Sequence, residues 1–343
     1  MKRFLCLSGA VLLLALSSSA CQQEKPAPEK PAPVQASCVA PPFLQEGDKI
    51  AIITPSYSIN NSYIQTCCRY LQSWGYQTVY APHVGETYPA TKSYLAGSPE
   101  HRAEDLRWAL ENDDIKAIVS ANGGYGAIQI LDLVPLSLYR EHPKWMLGFS
   151  DFTNLLSASA VAGVMSIHGP TAYRFSTYFT GKTETEVMLR NMLRGDLPTY
   201  HLTPNINNIP GDAEGMLVGG NLYTLCALCG TPYDVMDLNG TILFLEETDE
   251  SMARIDEMFQ TLMKQRRLEG VRGIIFGDFV YYDSDLEFQD IKAVFARYTS
   301  RLGIPVCFGY RGGHSSAGNN PLIIGAKVKL HVDDDEVTIE YQL

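Results

Sequence analysis

Positive charge is scarce in this chain: 27 Lys and Arg face 38 Asp and Glu, a formal net charge of −11 over 343 residues. A nucleic-acid binder needs a basic face to neutralise phosphates, so this balance argues against that class and leaves room only for a local basic pocket. Beyond the N-terminus no apolar run approaches the ~20 residues of a transmembrane helix. No G-x-G-x-x-G occurs, which weakens any dinucleotide reading. The eight cysteines lack the regular spacing of a small disulfide scaffold. What remains, 45% apolar and 19% charged, is ordinary globular composition, long enough for one large domain or two modest ones.

The N-terminus reads as a targeting segment. Lys2 and Arg3 form a basic n-region, Leu12-Leu13-Leu14-Ala15-Leu16 belongs to a short apolar core, and Ser17-Ser18-Ser19-Ala20 leads to Cys21. A small residue before a cysteine at that point is a loose bacterial lipobox, with Ser18 where the stricter form has Leu. Residues 1–20 are therefore expected to be a signal peptide and Cys21 a lipidated N-terminus; an ordinary signal cut near Ala20 is the alternative. The following Pro-rich stretch to residue 42 cannot build a core and reads as an extended tether. This places the protein in the cell envelope, held to a membrane by lipid and facing the periplasm or the cell surface.

The body reads as alternating strands and helices. Lys49-Ile50-Ala51-Ile52-Ile53-Thr54 is a β-branched run closed by Pro55, as in a buried parallel strand. A helix is expected around Ile64–Trp74, and a strand at Thr78-Val79-Tyr80. Ser98-Pro99-Glu100 starts a helix with Ser as N-cap, whose Ala103, Leu106 and Leu110 mark one face. Strands at Ile115–Ala121 and Trp145–Phe149 each run into a turn and a helix. The alternation predicts an open, mostly parallel α/β sheet with helices on both faces over residues 43–175. Polar, Pro- and Asn-rich residues 176–213 read as a linker. Residues 214–343, with strands at Thr241–Leu245, Gly273–Phe276 and Lys327–Val332 and a helix near Arg254–Leu262, read as a smaller β-rich α/β domain, with the site between the two.

Three pieces carry chemistry. Gly148-Phe149-Ser150-Asp151 joins an apolar strand to a helix, a turn that lifts a hydroxyl off the sheet beside helix-terminal amides. It lacks the closing Gly of G-x-S-x-G, and Ser150 alone reads equally as a helix N-cap. Asn122-Gly123-Gly124-Tyr125-Gly126 permits the close backbone approach that an oxyanion donor needs. Leu245-Glu246-Glu247 and Gly313-His314 supply a carboxylate and an imidazole in the chain order Ser…Glu…His. Cys226-Ala227-Leu228-Cys229 invites a zinc or redox reading, but its apolar residues fall at helical spacing and no second C-x-x-C or His pair accompanies it. Buried helix-face cysteines, and no metal, are expected.

These motifs, with Tyr94-Leu95-Ala96-Gly97-Ser98, Ile167-His168-Gly169-Pro170, Val218-Gly219-Gly220-Asn221-Leu222, Gly230-Thr231-Pro232-Tyr233 and Leu243-Phe244-Leu245-Glu246, resemble in sequence and order the L,D-carboxypeptidase family of serine peptidases, from about Gly47 to near the C-terminus. The resemblance implies a Ser-Glu-His triad in a cleft between two domains, a homodimer, and no cofactor. Ser150 would be the nucleophile, His314 the general base, and Glu246, rather than Glu247, the residue orienting the imidazole. The backbone amides of Gly124 and Asp151 would form the oxyanion hole. Asn122 departs from the pattern, standing where many members have Arg. The implied substrate is a murein tetrapeptide or muropeptide that loses its terminal D-Ala. The alternatives are the family branch that cleaves peptidyl-nucleotide antibiotics and a non-catalytic muropeptide-binding lipoprotein.

If Cys21 carries lipid, full-length protein partitions with membranes, because several acyl chains anchor stably where one binds only marginally. Cys21→Ser protein is then expected in the soluble fraction or as uncleaved precursor. Mass spectrometry of the mature N-terminus checks it, an unmodified Cys21 or a different start being the contrary result.

Overall fold

The β-branched and apolar runs of the sequence become the strands of two sheets in a computed structural model that describes residues 38–281, 290–316 and 318–343. The signal segment, Cys21 and the proline-rich stretch to residue 37 lie outside the described residues. The strands are β1 (Lys49–Ile53), β2 (Gln77–Tyr80), β3 (Ile115–Ser120), β4 (Trp145–Gly148), β5 (Ser166–His168), β6 (Tyr200–Leu202), β7 (Gly211–Asn221), β8 (Thr241–Glu250), β9 (Val271–Tyr281), β10 (Val306–Phe308), β11 (Leu322–Ile324), β12 (Lys327–Val332) and β13 (Val337–Tyr341). The helices are α1 (Asn61–Ser73), α2 (Pro99–Glu111), α3 (Leu136–Glu141), α4 (Thr153–Val161), α5 (Ala172–Tyr178), α6 (Glu184–Leu193), α7 (Leu222–Leu228), α8 (Met252–Lys264) and α9 (Ile291–Thr299).

The first sheet has the order β2-β1-β3-β4-β5-β11, parallel except for its last strand. Because β1 leads to β2 on one side and β3 lies on the other, the strand order reverses at β1. In such sheets the crevice outside the carboxyl ends of the strands is where ligands bind. β1 has no exposed residue, which is why it reads as a continuous apolar run without alternation. Ser98 caps α2 by accepting from the His101 amide, and Ala103, Leu106 and Leu110 are buried along its face.

The second sheet, β10-β9-β8-β7-β12-β13-β6, is parallel from β7 to β10 and antiparallel beyond. Its parallel half therefore also gathers strand ends on one edge, with Asn221 ending β7, Glu246 and Glu247 near the end of β8, and the loop carrying His314 following β10. Phe276 on β9 stacks between Phe295 and Phe308, both 4.7 Å away by ring centroid, and fixes α9 against this half.

Two features were not legible in the chain. The stretch 176–213, read as a linker, contains α6 and β6; Leu189, Met192 and Leu193 give α6 a buried face. The short apolar run Leu322-Ile323-Ile324 crosses back to pair antiparallel with β5 as the last strand of the first sheet. The chain then turns at Gly325 (φ +90°), whose amide donates to Leu217 O on β7 at 2.7 Å. This one strand sews the C-terminal stretch to the sheet that carries Ser150.

Ile323 sits fully buried at the centre of that seam. Ile323→Ala is expected to destabilise the protein by about 2–5 kcal/mol in urea unfolding. Ile206→Ala, at a fully exposed position, is expected to stay within about 0.5 kcal/mol. Equal effects at the two positions would contradict the seam's role.

Candidate active site

The end of β4 cannot continue as a strand because Ser150 has φ +64°, a conformation non-glycine residues adopt only at a cost of ~1–3 kcal/mol. The turn runs through a 3₁₀ segment, Ser150–Phe152, into α4, and leaves Ser150 partly exposed on the wall of a cavity of about 510 Å³. The glycine loop after β3 lies against it. A Cβ at Gly123 would stand 3.0 Å from the Ser150 Cβ, a tight approach, and one at Gly124 (φ +104°) would stand 2.1 Å from the Tyr57 ring, so Gly124 requires glycine. Gly124 and Asp151, whose amides were expected to face an oxyanion, line the same cavity.

Asp151 also does something its position in the motif did not reveal. Its buried carboxylate accepts from Ser56 Oγ at 2.6 Å, the Ala127 amide at 2.8 Å and Asn154 Nδ2 at 3.0 Å. It thereby clasps the loop after β1, the glycine loop and α4 to one point. Burial pushes its pKa up, against the pull of these bonds and of the Arg102 charge. Arg102 donates in turn to Pro55 O at 2.7 Å and Gly126 O at 2.8 Å, holding the same two loops from behind.

From the second sheet, His314 Nδ1–H donates to Glu246 Oε2 at 2.6 Å, with Glu246 fully buried and His314 lining the cavity. This orientation leaves Nε2 as the ring nitrogen for another partner. Ser150 and His314 share the cavity wall without a direct hydrogen bond, and bonds of this kind often tighten only when substrate is in place. Phe149 lies between the elements, with its ring 4.6 Å from that of His314.

The adjacent Glu247 has a different task. Its two oxygens accept from Asn221 Nδ2 at 2.8 Å, the Tyr223 amide at 2.7 Å and the Thr248 amide at 2.8 Å, which ties β8 to the start of α7. Successive strand residues point to opposite faces, but the β8–β9 register shifts between Leu245 and Glu247, which lets both carboxylates approach the site. Burial, then the neighbouring Glu246 charge, raises the Glu247 pKa to about 7.

The His314 loop is fixed by residues the sequence reading passed over. Asn319 Oδ1 accepts from the Gly313 amide at 2.9 Å, and Tyr178 Oη donates to Ser315 O at 2.7 Å. Thr185 on α6 donates to Asn320 Oδ1 at 2.7 Å and accepts from the Asn319 amide at 3.2 Å. The supposed linker is thus part of the support of the site. His168, at the end of β5, is fully buried edge-on between Phe149 and Phe244, and burial drives its pKa down to about 4, so it is neutral at neutral pH. Of these residues, His168 had a sequence signal in the motif Ile167-His168-Gly169-Pro170.

Cys226 and Cys229 are half-buried rather than buried, because α7 ends at Leu228 and leaves Cys229 as its cap. Burial raises their pKa values to about 12 and about 11, so both are thiols at neutral pH. Among the described residues the group with metal-ligand chemistry is His83, Glu86 and His101. Its members are engaged as His83–Asp105 and His101–Glu86 pairs at 2.8 and 2.7 Å, and none lines the cavity.

A carboxyl whose pKa is higher folded than unfolded favours the folded state at low pH, and that contribution is lost as pH rises. For Glu247 the window runs from the ordinary value of 4.5 to about 7. Relative to Glu247→Gln, the native protein is expected to lose on the order of 3 kcal/mol of stability across that window. Urea titrations of both proteins at several pH values measure it, and parallel stability curves would contradict it.

Comparison with known proteins accords with this arrangement. Residues 50–169 match the family model described as the LD-carboxypeptidase N-terminal domain, and residues 214–330 match its C-terminal domain. A probable murein peptide carboxypeptidase of Bacillus subtilis is 30% identical over 308 residues, covering 88% of this chain and 94% of the relative. The microcin C7 self-immunity protein of Escherichia coli is 26% identical over 307 residues, covering 80% of this chain and 86% of that protein. The crystal structure of muramoyltetrapeptide carboxypeptidase from Oxalobacter formigenes superposes with a TM-score of 0.77 at 25% identity, covering 86% of this chain and 99% of the other. With both halves matched in order along the chain, the protein belongs to the LD-carboxypeptidase family of serine peptidases.

Proposed function

We propose that this peptidase removes the terminal D-Ala from murein tetrapeptides, with Ser150 as nucleophile, His314 as general base and Glu246 as the residue that orients the imidazole. The observation that carries the reading is the 2.6 Å bond from His314 Nδ1 to buried Glu246, beside a cavity onto which the strained Ser150 turn opens. His314 takes the Ser150 proton as the hydroxyl attacks the carbonyl of the third stem residue, and the amides of Gly124 and Asp151 receive the oxyanion. The imidazolium, stabilised by Glu246, then protonates the departing amine of D-Ala. Water activated by the same imidazole releases the acyl-enzyme. A lipid anchor at Cys21 would hold this activity in the envelope, where murein fragments occur, and the homodimer implied by the family resemblance belongs to the same reading.

A second reading is cleavage of peptidyl nucleotides, the self-immunity activity. It is favoured by the Escherichia coli relative and by two exposed aromatic residues on the cavity, Tyr125 and Tyr223, which offer faces for base stacking. Comparing the rates on a murein tetrapeptide and on an aminoacyl-nucleotide analogue decides between them, the higher kcat/KM identifying the function.

Ser150→Ala is expected to abolish D-Ala release with little change in thermal stability. Glu246→Gln is expected to lower kcat on the order of 10³- to 10⁴-fold, and Glu247→Gln far less. D-Ala release followed by mass spectrometry tests all three. Wild-type turnover by Ser150→Ala would remove the nucleophile assignment, and the reverse glutamate ranking would exchange the two carboxylates.

A further inference from the structure

Among the described residues, the cavity wall carries one strong cation without an ion-pair partner. Arg174, on α5, is the one Lys or Arg among the described residues that line it, and Asn122 on the opposite loop is neutral. Among the described residues no carboxylate lies within ion-pair distance of Arg174, although the chain has 38 Asp and Glu. Its guanidinium is held instead by aromatic faces, 4.8 Å from the Tyr178 ring centroid, 5.6 Å from Tyr173 and 5.8 Å from Phe149. Such contacts fix the orientation of a guanidinium and leave its N–H fork free for a planar anion.

The position of this cation matters as much as its charge. Phe149 directly precedes Ser150, and its ring lies beside both the His314 imidazole and the Arg174 guanidinium. Arg174 is therefore on the same short stretch of cavity wall as the proposed nucleophile and base. Of the acidic residues on the wall, Asp151, next to Ser150, has its carboxylate engaged by Ser56, the Ala127 amide and Asn154, and Glu247, Asp249 and Glu250 come from the second sheet. An anionic end of a ligand is repelled from that side and attracted to Arg174. In a peptide whose last residue is the leaving group, the α-carboxylate is separated from the scissile carbonyl by one residue, about 3.5 Å of chain.

Resting on the proposed carboxypeptidase reading, we propose that Arg174 binds the free α-carboxylate of the leaving residue, making the site selective for a C-terminal residue over an internal or amidated one. A bidentate guanidinium–carboxylate pair supplies both charge and a fixed angle, so the terminal residue is held with its amide bond toward Ser150. The rings of Tyr173, Tyr178 and Phe149 take part by holding the guanidinium before substrate arrives, which lowers the ordering cost of binding. Arg174 would thus determine specificity, while the proton transfers remain with His314.

The test compares a tetrapeptide ending in D-Ala with the same peptide ending in D-alaninamide, on full-length protein. Binding is measured by calorimetry in the Ser150→Ala background, and turnover in the wild type. The free acid is expected to bind roughly 10- to 100-fold more tightly than the amide. Arg174→Met in the same background is expected to erase that ratio by weakening the acid alone, and Arg174→Lys to restore part of it. In the wild-type background, Arg174→Met should raise KM for the acid more than it lowers kcat. A preserved acid-over-amide ratio in Arg174→Met, or equal weakening of both ligands, would overturn the proposal. Absence of tetrapeptide turnover by the wild type would instead strike the carboxypeptidase reading, and the binding ratio would still decide the role of Arg174.

Discussion

The strand Leu322–Ile324 belongs by sequence to the C-terminal stretch and by hydrogen bonding to the first sheet, where it pairs with Ser166–His168. Three residues contribute little surface, yet the arrangement of the site depends on them. They follow the His314 loop by only a few residues and turn at Gly325 directly onto β7. Fixing β11 on β5 therefore sets where the loop returns, and with it where His314 stands on the cavity wall that Ser150 also lines. A hinge between two independent domains would let these groups drift apart.

Around that seam, buried polar groups add to an apolar core that runs through both sheets. The Asp151 carboxylate gathers three loops of the first sheet, Glu247 joins β8 to α7, and Thr185, Asn319 and Asn320 tie α6 to the His314 loop. Each of these groups costs free energy if left unpaired in a low-dielectric interior, which is what makes them specific: one arrangement satisfies them and neighbouring ones do not. The two adjacent glutamates divide their work for the same reason. Glu246 is left with an imidazole partner, and Glu247 is occupied by backbone and amide donors.

Charge in the cavity follows the two-sheet origin of its walls. The first sheet contributes Ser150, Asp151 with its carboxylate bonded inward, backbone amides and Arg174, while the second contributes His314 and the acidic residues after Leu245. A ligand with a carboxylate at one end and cationic or neutral groups beyond it fits this polarity. The chain's net negative charge, which spoke against a nucleic-acid ligand, is thus locally reversed at the one position where a substrate carboxylate is expected.

Much of the first sheet was legible because buried parallel strands and capped helices are written locally: the run at Lys49–Ile53, the Ser98-Pro99 start of α2 and the Gly148–Asp151 turn depend on residues next to one another. The sequence also marked Ser150, Glu246, His314 and the glycine loop as one set, because short motifs in a fixed order carry that resemblance. It chose Glu246 over Glu247 by its place after Phe244-Leu245, but did not reveal the separate task of Glu247, which a register shift in β8 against β9 also brings near the site. Nor could it reveal α6 as a support, β11 as a member of the other sheet, or Arg174 as the cation of the cavity without an ion-pair partner among the described residues. Those depend on contacts between residues distant in the chain. Local propensity and motif order decide which groups exist; long-range packing and the pairing of buried polar atoms decide which of them meet.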